Sequence, residues 1–378
     1  MKGGNWQSSH YLNGEETYPT RNDKTVVTRK HPSRILEQGG DSLTLVDFHL
    51  QRLGLPTSTK GAELVEALRP LCVICGLEIP TVDSEEYRAY REKQDRLERT
   101  AYKMQRELFS PAGAEVLRYL TETRGYSESE IKDMELGYCS TETASQLDGA
   151  PYGAGEIYTL AIPYRSGNSI LGFKLRALDA DVKPKYKNTS GLPKKASFFG
   201  LTGLRLTGDG AKDRDITIVE GELDALHAQA VGVENIVAAA GGELSEEALQ
   251  EAKKRGVRRI TLLFDTEQSE DNAASEARAA GASEDTARRK AAERIAENER
   301  KREKAIRLVQ SEGLEALVAE LPSEDGEKVD VDSFLRTHGK EQLQKEIDGA
   351  VTGAKYLFYG ILERTIAKQG GEGETITD

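Results

Sequence analysis

The sequence predicts an α/β fold, in which a parallel sheet with helices on both faces follows a mixed α+β subdomain that is rich in basic residues. Two observations support this prediction. From residue 215 onward, short apolar runs typical of buried strands alternate with helical patterns. Residues 157–200 instead carry short strand patterns that are separated by turns and followed by a lysine-rich loop. With 378 residues, the chain is long enough for two or three domains.

Charge and cysteine content limit the classes of function. The chain has 52 Lys and Arg against 64 Asp and Glu, a net charge of −12, which argues against coating nucleic acid through overall charge. A local basic strip remains compatible with this total. Three cysteines predict no disulfide framework and a reducing compartment. Because no apolar run approaches the roughly 18 residues of a spanning helix, we expect a soluble, cytoplasmic protein without a membrane partner.

The first third of the chain is predicted to be largely helical after a polar start. Residues 1–40 show no periodicity and predict a small, irregular or weakly β module. Residues 41–53 and 62–77 have helical spacing and predict a short helical pair. Residues 83–108 are highly charged, with a thin apolar stripe, and predict a helical connector between domains. The stripe consists of Tyr87, Tyr90, Leu97 and Tyr102.

The middle of the chain contains start signals for helices and two strand patterns. Ser110 followed by Pro111 predicts a helix that runs to about residue 123. Ser127 and Glu130 have the spacing of a capping box at the start of a second helix. Two strands follow at residues 158–162 and 170–175.

The last part of the chain is the most regular. Strands are predicted at residues 216–219, 235–239, 260–264 and 316–321, with helices at 223–230 and 245–255 and another that begins at 331. Strands that alternate with helices imply right-handed crossovers and a parallel sheet. In such sheets ligands bind beyond the carboxyl ends of the strands, so we expect the chemistry there.

Acidic residues follow three of these four strands. The six carboxylates are Glu220, Asp224, Asp265, Glu267, Asp330 and Asp332. Like charges on one rim of a sheet repel each other unless cations lie among them. Oxygen ligands without His or Cys favour Mg²⁺ or Mn²⁺ over zinc, so the pattern predicts a divalent metal site. An acidic residue after a single strand is more often a helix cap, but three such positions on one rim favour the metal.

A local excess of positive charge precedes this acidic part of the chain. Residues 161–200 contain eight basic residues and only two acidic ones, Asp179 and Asp181, which gives this segment a net charge of +6. The cations are Arg165, Lys174, Arg176, Lys183, Lys185, Lys187, Lys194 and Lys195. A nucleic-acid strand requires such a cluster to neutralise its phosphates, and nearby aromatic side chains offer surfaces for bases. An ordinary solvated loop is the alternative interpretation.

Several ordered motifs resemble a known family. Residues 218–226, 262–267 and 330–335 resemble the TOPRIM domain that topoisomerases and DnaG-type primases share. The motifs before them are similar to the polymerase core of the primases; they lie at residues 119–127, 136–138, 162–165, 171–176, 184–189 and 199–201. Residues 39–80 resemble the end of the primase zinc-binding module, so the resemblance spans about residues 39–360.

The resemblance implies a DNA primase that makes short RNA primers on single-stranded DNA from NTPs, through nucleotidyl transfer dependent on Mg²⁺ or Mn²⁺. It makes Glu220, Asp265 and Glu267 the catalytic metal ligands, completed or oriented by Asp224, Asp330 and Asp332. It also implies that basic residues hold template, nascent strand or triphosphate; these are Arg124, Arg165, Arg176, Lys185 and one of Lys194 and Lys195. A separate replicative helicase or a small accessory protein is the expected partner.

The sequence differs from the family pattern at three places. Asp265 and Glu267 stand where the family usually has Asp-x-Asp. A charged, Ala-rich insertion at residues 271–302 is interpreted as a solvated helical arm. Cys72 and Cys75 have CxxC spacing without a second pair of ligands, so no zinc is expected.

The predicted domain organisation follows from these features. Residues 1–80 are a degenerate, zinc-free module, residues 81–108 the connector, and residues 109–213 the basic subdomain. Residues 214–340 are the TOPRIM domain with its insertion, and residues 341–378 a short C-terminal helical segment.

Two further functions stay open at this point. A TOPRIM nuclease would use the same metals but attack with water. A catalytically weakened accessory protein would keep the fold and bind single-stranded DNA without synthesis. Glu267 and the missing zinc ligands motivate the second alternative, whereas the other five acids argue against it.

Overall fold

The computed structural model describes residues 10–12, 15–17, 46, 49–50, 53, 55, 59–74, 85–166, 169–192, 195–204, 215–239, 243–323 and 325–368. The chain divides into two compact units. The N-terminal unit comprises residues 1–213 with 251–256, and the C-terminal unit comprises residues 214–250 with 257–378. Most of the predicted zinc-free module, including Cys75 and the stretch 18–45, lies outside the described residues.

The N-terminal unit contains short helices, one long helix and an antiparallel sheet. Its strands are β1 (His10–Leu12), β2 (Glu15–Thr17), β3 (Gly137–Tyr138), β4 (Tyr158–Ser166), β5 (Ser169–Ala177) and β6 (Tyr186–Asn188). Its helices are α1 (Gly61–Ile74), α2 (Glu85–Leu108), α3 (Ala114–Arg118), α4 (Glu128–Asp133) and α5 (Thr141–Ser145). Strands β3–β4–β5–β6 form one sheet in chain order, while β1 and β2 form a separate pair.

Helix α2 is more than the connector that the sequence predicts. Leu97 and Met104 are buried and pack in one cluster with Phe173 and Leu175 of β5. The backbone of β3 comes so close to α2 that a Cβ on Gly137 would lie 2.7 Å from the Cβ of Met104. Tyr102, which the sequence places on the apolar stripe, is instead 63% exposed. The helix therefore belongs to the core of this unit, through a face that the stripe only partly identifies.

The helix predicted from Ser110 to residue 123 is three short elements. A 3₁₀ turn covers Pro111–Gly113, α3 follows, and a π turn covers Tyr119–Thr123. The Ser110 side chain accepts a hydrogen bond from the backbone N–H of Ala112, as a helix cap does. The capping box predicted at Ser127 and Glu130 is confirmed, with both reciprocal hydrogen bonds present.

The C-terminal unit confirms the predicted α/β fold. Its strands are β7 (Asp215–Val219), β8 (Ile236–Ala238), β9 (Arg259–Leu263), β10 (Glu315–Ala319) and β11 (Val351–Thr352). They form one sheet in the order β11–β10–β9–β7–β8, with helices on both faces. The first four strands are parallel to each other, and β11 pairs antiparallel with β10 at the edge. The sequence did not predict β11, because two residues give no periodicity.

In the described part of this unit, six helices follow the strands: α6 (Glu222–Ala230), α7 (Glu246–Lys254), α8 (Glu270–Ala279), α9 (Glu284–Ser311), α10 (Val331–Asp348) and α11 (Gly353–Lys368). The Ala-rich sequence between residues 271 and 302 forms α8 and most of α9, which pack through a cluster of alanines. Gly339 interrupts α10 with a φ of +80°. Among the described residues, no helix has the length and apolar character needed to cross a membrane.

Candidate functional site

Three of the predicted acidic residues follow the central parallel strands of the C-terminal unit. Glu220 comes directly after β7, and Asp265 and Glu267 follow the adjacent β9. Between the last two, Thr266 exchanges two backbone hydrogen bonds of 2.9 Å with Val329. This bridge brings the segment before α10, which contains Lys328, onto the carboxylates. The carboxyl ends of the strands therefore gather an acidic cluster, as the sheet rule predicts.

Lys328 places a cation beside two of these carboxylates, although its side chain is 44% exposed. Its Nζ is 3.0 Å from Asp265 Oδ2 and 3.7 Å from Glu267 Oε1. Burial lowers the pKa of this ammonium group, but attraction to Asp265, a hydrogen bond to Asp265 and the charges of Glu267 and Glu220 raise it above the ordinary lysine value. Lys328 therefore stays charged and neutralises one part of the cluster.

The cluster nevertheless keeps an excess of negative charge. Burial raises the pKa of Glu220, and the charges of Asp265 and Glu267 raise it further against the opposing effect of Lys328. Burial likewise raises the pKa of Asp265, which Lys328 lowers and which Asp330 and Glu267 raise. A carboxyl group in this situation is stabilised by any additional cation.

Two arginines of helix α9 reach the same place. Arg294 donates to Glu267 Oε2 from Nη2 at 2.7 Å and from Nε at 3.2 Å. Arg302 donates from Nη2 to the backbone oxygen of Asp265 at 2.7 Å and pairs through Nη1 with Glu320 at 2.9 Å. The insertion interpreted as a solvated arm is thus tied to the acidic cluster, because its cations satisfy groups at the end of β9.

The donor chemistry of the cluster fits a hard divalent cation. Glu220, Asp265 and Glu267 supply only carboxylate oxygens, which suit Mg²⁺ and Mn²⁺. Within the described ranges, however, no three His, Cys, Asp or Glu side chains already converge as metal ligands. Instead, Lys328 pairs with Asp265 and Glu267, and Arg294 pairs with Glu267. A metal ion that binds to these carboxylates would displace the two cations.

The other three acids have structural contacts of their own. Asp332 is fully buried, and its Oδ1 lies 2.7 Å from Nδ1 of His227 on α6. Asp330 caps α10 by accepting a hydrogen bond of 2.7 Å from the backbone N–H of Ser333. Asp224 folds back over the turn that precedes α6, because a Cβ on Gly221 would lie 2.3 Å from its Oδ2. Asp330 is therefore a helix cap, which is the alternative interpretation given above for a single acidic residue after a strand.

A cavity of about 390 Å³ opens beside the cluster. Glu220, Asp265 and Glu267 line it together with Glu243, Leu244 and Phe264. Its remaining lining comes from α9: Asn298, Lys301, Arg302, Lys304, Ala305 and Leu308.

In the N-terminal unit, part of the predicted basic strip gathers around aromatic rings. The Arg176 guanidinium lies 5.2 Å from the ring centre of Tyr119 and 5.1 Å from that of Tyr186. Lys174 lies 4.6 Å from the Tyr186 ring, and Arg124 donates to the Tyr119 hydroxyl at 2.9 Å. Lys174 and Arg176 point to the same face of β5, because residues two apart in a strand do so.

The remaining predicted cations are dispersed. Arg165 forms ion pairs with Glu98 at 3.0 Å and Glu135 at 2.5 Å. Lys187 follows Tyr186 in β6, so its side chain points to the opposite face of the sheet. There it donates to the backbone oxygen of Tyr152 at 3.0 Å. The exposed cations of this group are Lys183, Lys185 and Lys195, while Lys194 lies outside the described residues.

Sequence reasoning missed the cations of the acidic cluster. Lys328 stands two residues before Asp330, and this adjacency to an acidic motif is the one signal that could have identified it. Arg294 and Arg302 gave no such signal, because the charge pattern of the insertion is also that of a solvated helix.

Comparison with known proteins identifies the C-terminal unit. Residues 217–335 match the family described as Toprim-like. This segment is similar to a TOPRIM domain. The acidic cluster lies within it, at the ends of β7 and β9.

Curated relatives extend the resemblance beyond the TOPRIM domain. A DNA primase from Chlamydia trachomatis is 28% identical over 273 residues, which cover 67% of this chain and 40% of the relative. A DNA primase from Myxococcus xanthus is 24% identical over 349 residues, which cover 85% of this chain and 50% of the relative. The chain therefore spans half or less of the length of these relatives.

Solved structures share the fold. The zinc-binding and RNA polymerase domains of the Aquifex aeolicus primase match 81% of this chain, and 70% of their own, with a TM-score of 0.50 and 20% identity. A DNA primase domain from Pseudomonas aeruginosa matches 72% of this chain and 83% of its own, with a TM-score of 0.51 and 24% identity. The predicted resemblance to DnaG-type primases with a TOPRIM domain is confirmed.

Proposed function

We propose that this protein is a DNA primase, which makes short RNA primers on single-stranded DNA by joining NTPs. The observation that carries the proposal is the acidic cluster at the strand ends of the TOPRIM domain, in a chain whose curated relatives are DNA primases. Primer synthesis joins a 3′ hydroxyl to the α-phosphorus of a triphosphate and releases pyrophosphate. Charge accumulates at the phosphates during this reaction, so catalysis requires cations placed against them.

Glu220, Asp265 and Glu267 would hold the divalent metal, Mg²⁺ or Mn²⁺. A metal bound there would neutralise the triphosphate and activate the attacking hydroxyl. Asp224, Asp330 and Asp332 then act at a distance, by fixing the turn before α6 and the start of α10 around the cluster. Glu267 is one methylene longer than the usual aspartate, and it would exchange its ion pair with Arg294 for the metal.

The basic residues of the N-terminal unit would bind the template strand. The partly exposed rings of Tyr119 and Tyr186 offer aromatic surface for bases, whereas Lys174 and Arg176 are themselves buried, at 7% and 4% exposure. Lys183, Lys185 and Lys195 are exposed to solvent, so phosphates of a bound strand can reach them. In the cell, the proposed primase works in the cytoplasm, and a separate replicative helicase or a small accessory protein recruits it to DNA.

Incorporation of labelled NTPs on single-stranded DNA tests the proposal. Asp265→Asn and Glu220→Gln should each lower the yield of primers at least about a hundredfold, because they remove charge from the metal site. Glu293→Gln is the matched control, since Glu293 is an exposed carboxylate of α9 that pairs with Arg289. Equal synthesis by the Asp265 variant and wild type would refute the assignment. Cleavage of DNA without NTPs would instead identify the nuclease.

A further inference from the structure

Helix α9 presents a polar face to the cavity beside the acidic cluster. Asn298, Lys301 and Lys304 line the cavity together with Ala305 and Leu308, further toward the end of the helix. These residues recur at intervals of three to four, so they lie along one side of the helix. Ala305 is buried, whereas Lys301 and Lys304 remain exposed. The face is therefore packed at one end and open to a ligand at the other.

Arg302 fixes the helix beside the carboxylates. It donates to the backbone oxygen of Asp265 and forms an ion pair with Glu320. Its side chain is only 16% exposed, although that of Glu320 is 56% exposed. Because Arg302 is committed to holding α9 in place, its neighbours Lys301 and Lys304 are the cations of the cavity with solvent access.

The charges around the cavity are divided by element. The ends of β7 and β9 contribute the carboxylates Glu220, Asp265 and Glu267, and Glu243 adds a fourth, whereas α9 contributes the ammonium groups. A cation alone suits only the carboxylates, and an anion alone suits only the lysines. A divalent metal bound to a polyphosphate carries both charges and complements both sides.

We propose that Lys301 and Lys304 bind the phosphates of the incoming nucleoside triphosphate, whose metal ion the carboxylates hold. This inference rests on the proposed primase function and adds the part of the chain that binds the substrate. Helix α9 thereby supplies a phosphate-binding face.

The contacts of Lys301 permit this role. Its Nζ pairs with Glu297 Oε1 at 3.1 Å, one turn earlier on the helix. Both side chains are more than half exposed, and such surface pairs contribute little to stability. Lys301 can therefore exchange Glu297 for a phosphate at small cost. A lysine ammonium is also a compact, mobile point charge of the kind that commonly binds phosphate.

Equilibrium binding of a fluorescent ATP analogue to the full chain tests the inference. Ca²⁺ replaces the catalytic metal so that binding is measured without turnover, and the same fluorophore on adenosine reports contacts to base and sugar alone. The variants are the double substitution Lys301→Gln and Lys304→Gln, the double substitution of both to Arg, and Lys290→Gln. Lys290 is an exposed lysine of the same helix that does not line the cavity.

The glutamine double variant should bind the triphosphate about tenfold more weakly and the nucleoside unchanged, while the arginine double variant and Lys290→Gln bind both like wild type. Triphosphate affinity within twofold of wild type in the glutamine variant would overturn the inference. Equal weakening for triphosphate and nucleoside would also overturn it, because a general disturbance of the fold explains that result. If wild type makes primers while the lysines prove irrelevant, only the inference fails; if wild type neither binds nor incorporates NTPs, the proposed function fails with it.

Discussion

Single residues of the acidic set have two distinct kinds of environment. Asp265 is 14% exposed, and its side chain contacts Lys328, which is 44% exposed, and lies near like charges. Asp332 is completely buried against His227. From the sequence, both residues are candidate metal ligands, because both belong to acidic motifs that follow a strand. Sequence distance could not separate them, since the difference lies in which neighbours the fold supplies.

Asp332→Ala should therefore destabilise the protein, by about 2–3 kcal/mol, because it leaves the buried His227 ring nitrogen without its partner. Asp265→Asn should change the free energy of unfolding by less than about 1 kcal/mol, since it loses an ion pair with an exposed lysine and relieves repulsion between carboxylates. Urea unfolding monitored by circular dichroism measures both. The distinction would be wrong if the two substitutions had equal effects on stability.

At the scale of elements, the regular βα part of the chain was predictable. The strand patterns at 216–219, 260–264 and 316–321 correspond to β7, β9 and β10, because buried parallel strands are continuous apolar runs. The two-residue strand β11 and the π turn at Tyr119–Thr123 were not predictable, since both depend on tertiary contacts. The burial of helix α2 was also not predictable. Its apolar stripe does not show that Leu97 and Met104 pack into the core of the N-terminal unit.

The packing of α2 against the sheet predicts how substitutions in this helix change the stability of the protein. Met104→Ala should lower the free energy of unfolding by about 2–4 kcal/mol, because it opens a cavity against the sheet at a position that is 1% exposed. Tyr102→Ala, two residues earlier at a position that is 63% exposed, is the matched control and should change little. Chemical denaturation of both variants measures the difference. A helix that merely connected two domains would tolerate both substitutions equally.

At the scale of the whole molecule, charge is divided between the two units. The total of −12 conceals a segment, residues 161–200, with a net charge of +6. The acidic cluster and the basic residues around Tyr119 and Tyr186 belong to different units. The overall composition argues against a nucleic-acid partner, whereas the order of charges along the chain predicts an acidic metal site and a separate basic strip.

This separation predicts that binding of single-stranded DNA depends strongly on salt despite the acidic total. Three to five phosphate contacts would give a slope of about −2 to −3.5 in a plot of log affinity against log salt concentration. Fluorescence anisotropy with a labelled oligonucleotide measures the slope, and Lys185→Gln should make it shallower by about 0.7. Affinity independent of salt would show that the basic residues do not bind phosphates.

We propose that the carboxylates after β7 and β9 hold a divalent metal together with a triphosphate. Anomalous diffraction from crystals grown with Mn²⁺ and a non-hydrolysable NTP tests it most directly. The predicted result is a manganese peak in contact with Asp265 and Glu267, with Lys328 displaced from Asp265 and the phosphates beside helix α9. A nucleotide bound elsewhere, or Lys328 still paired with Asp265 and no manganese at the cluster, would contradict the claim.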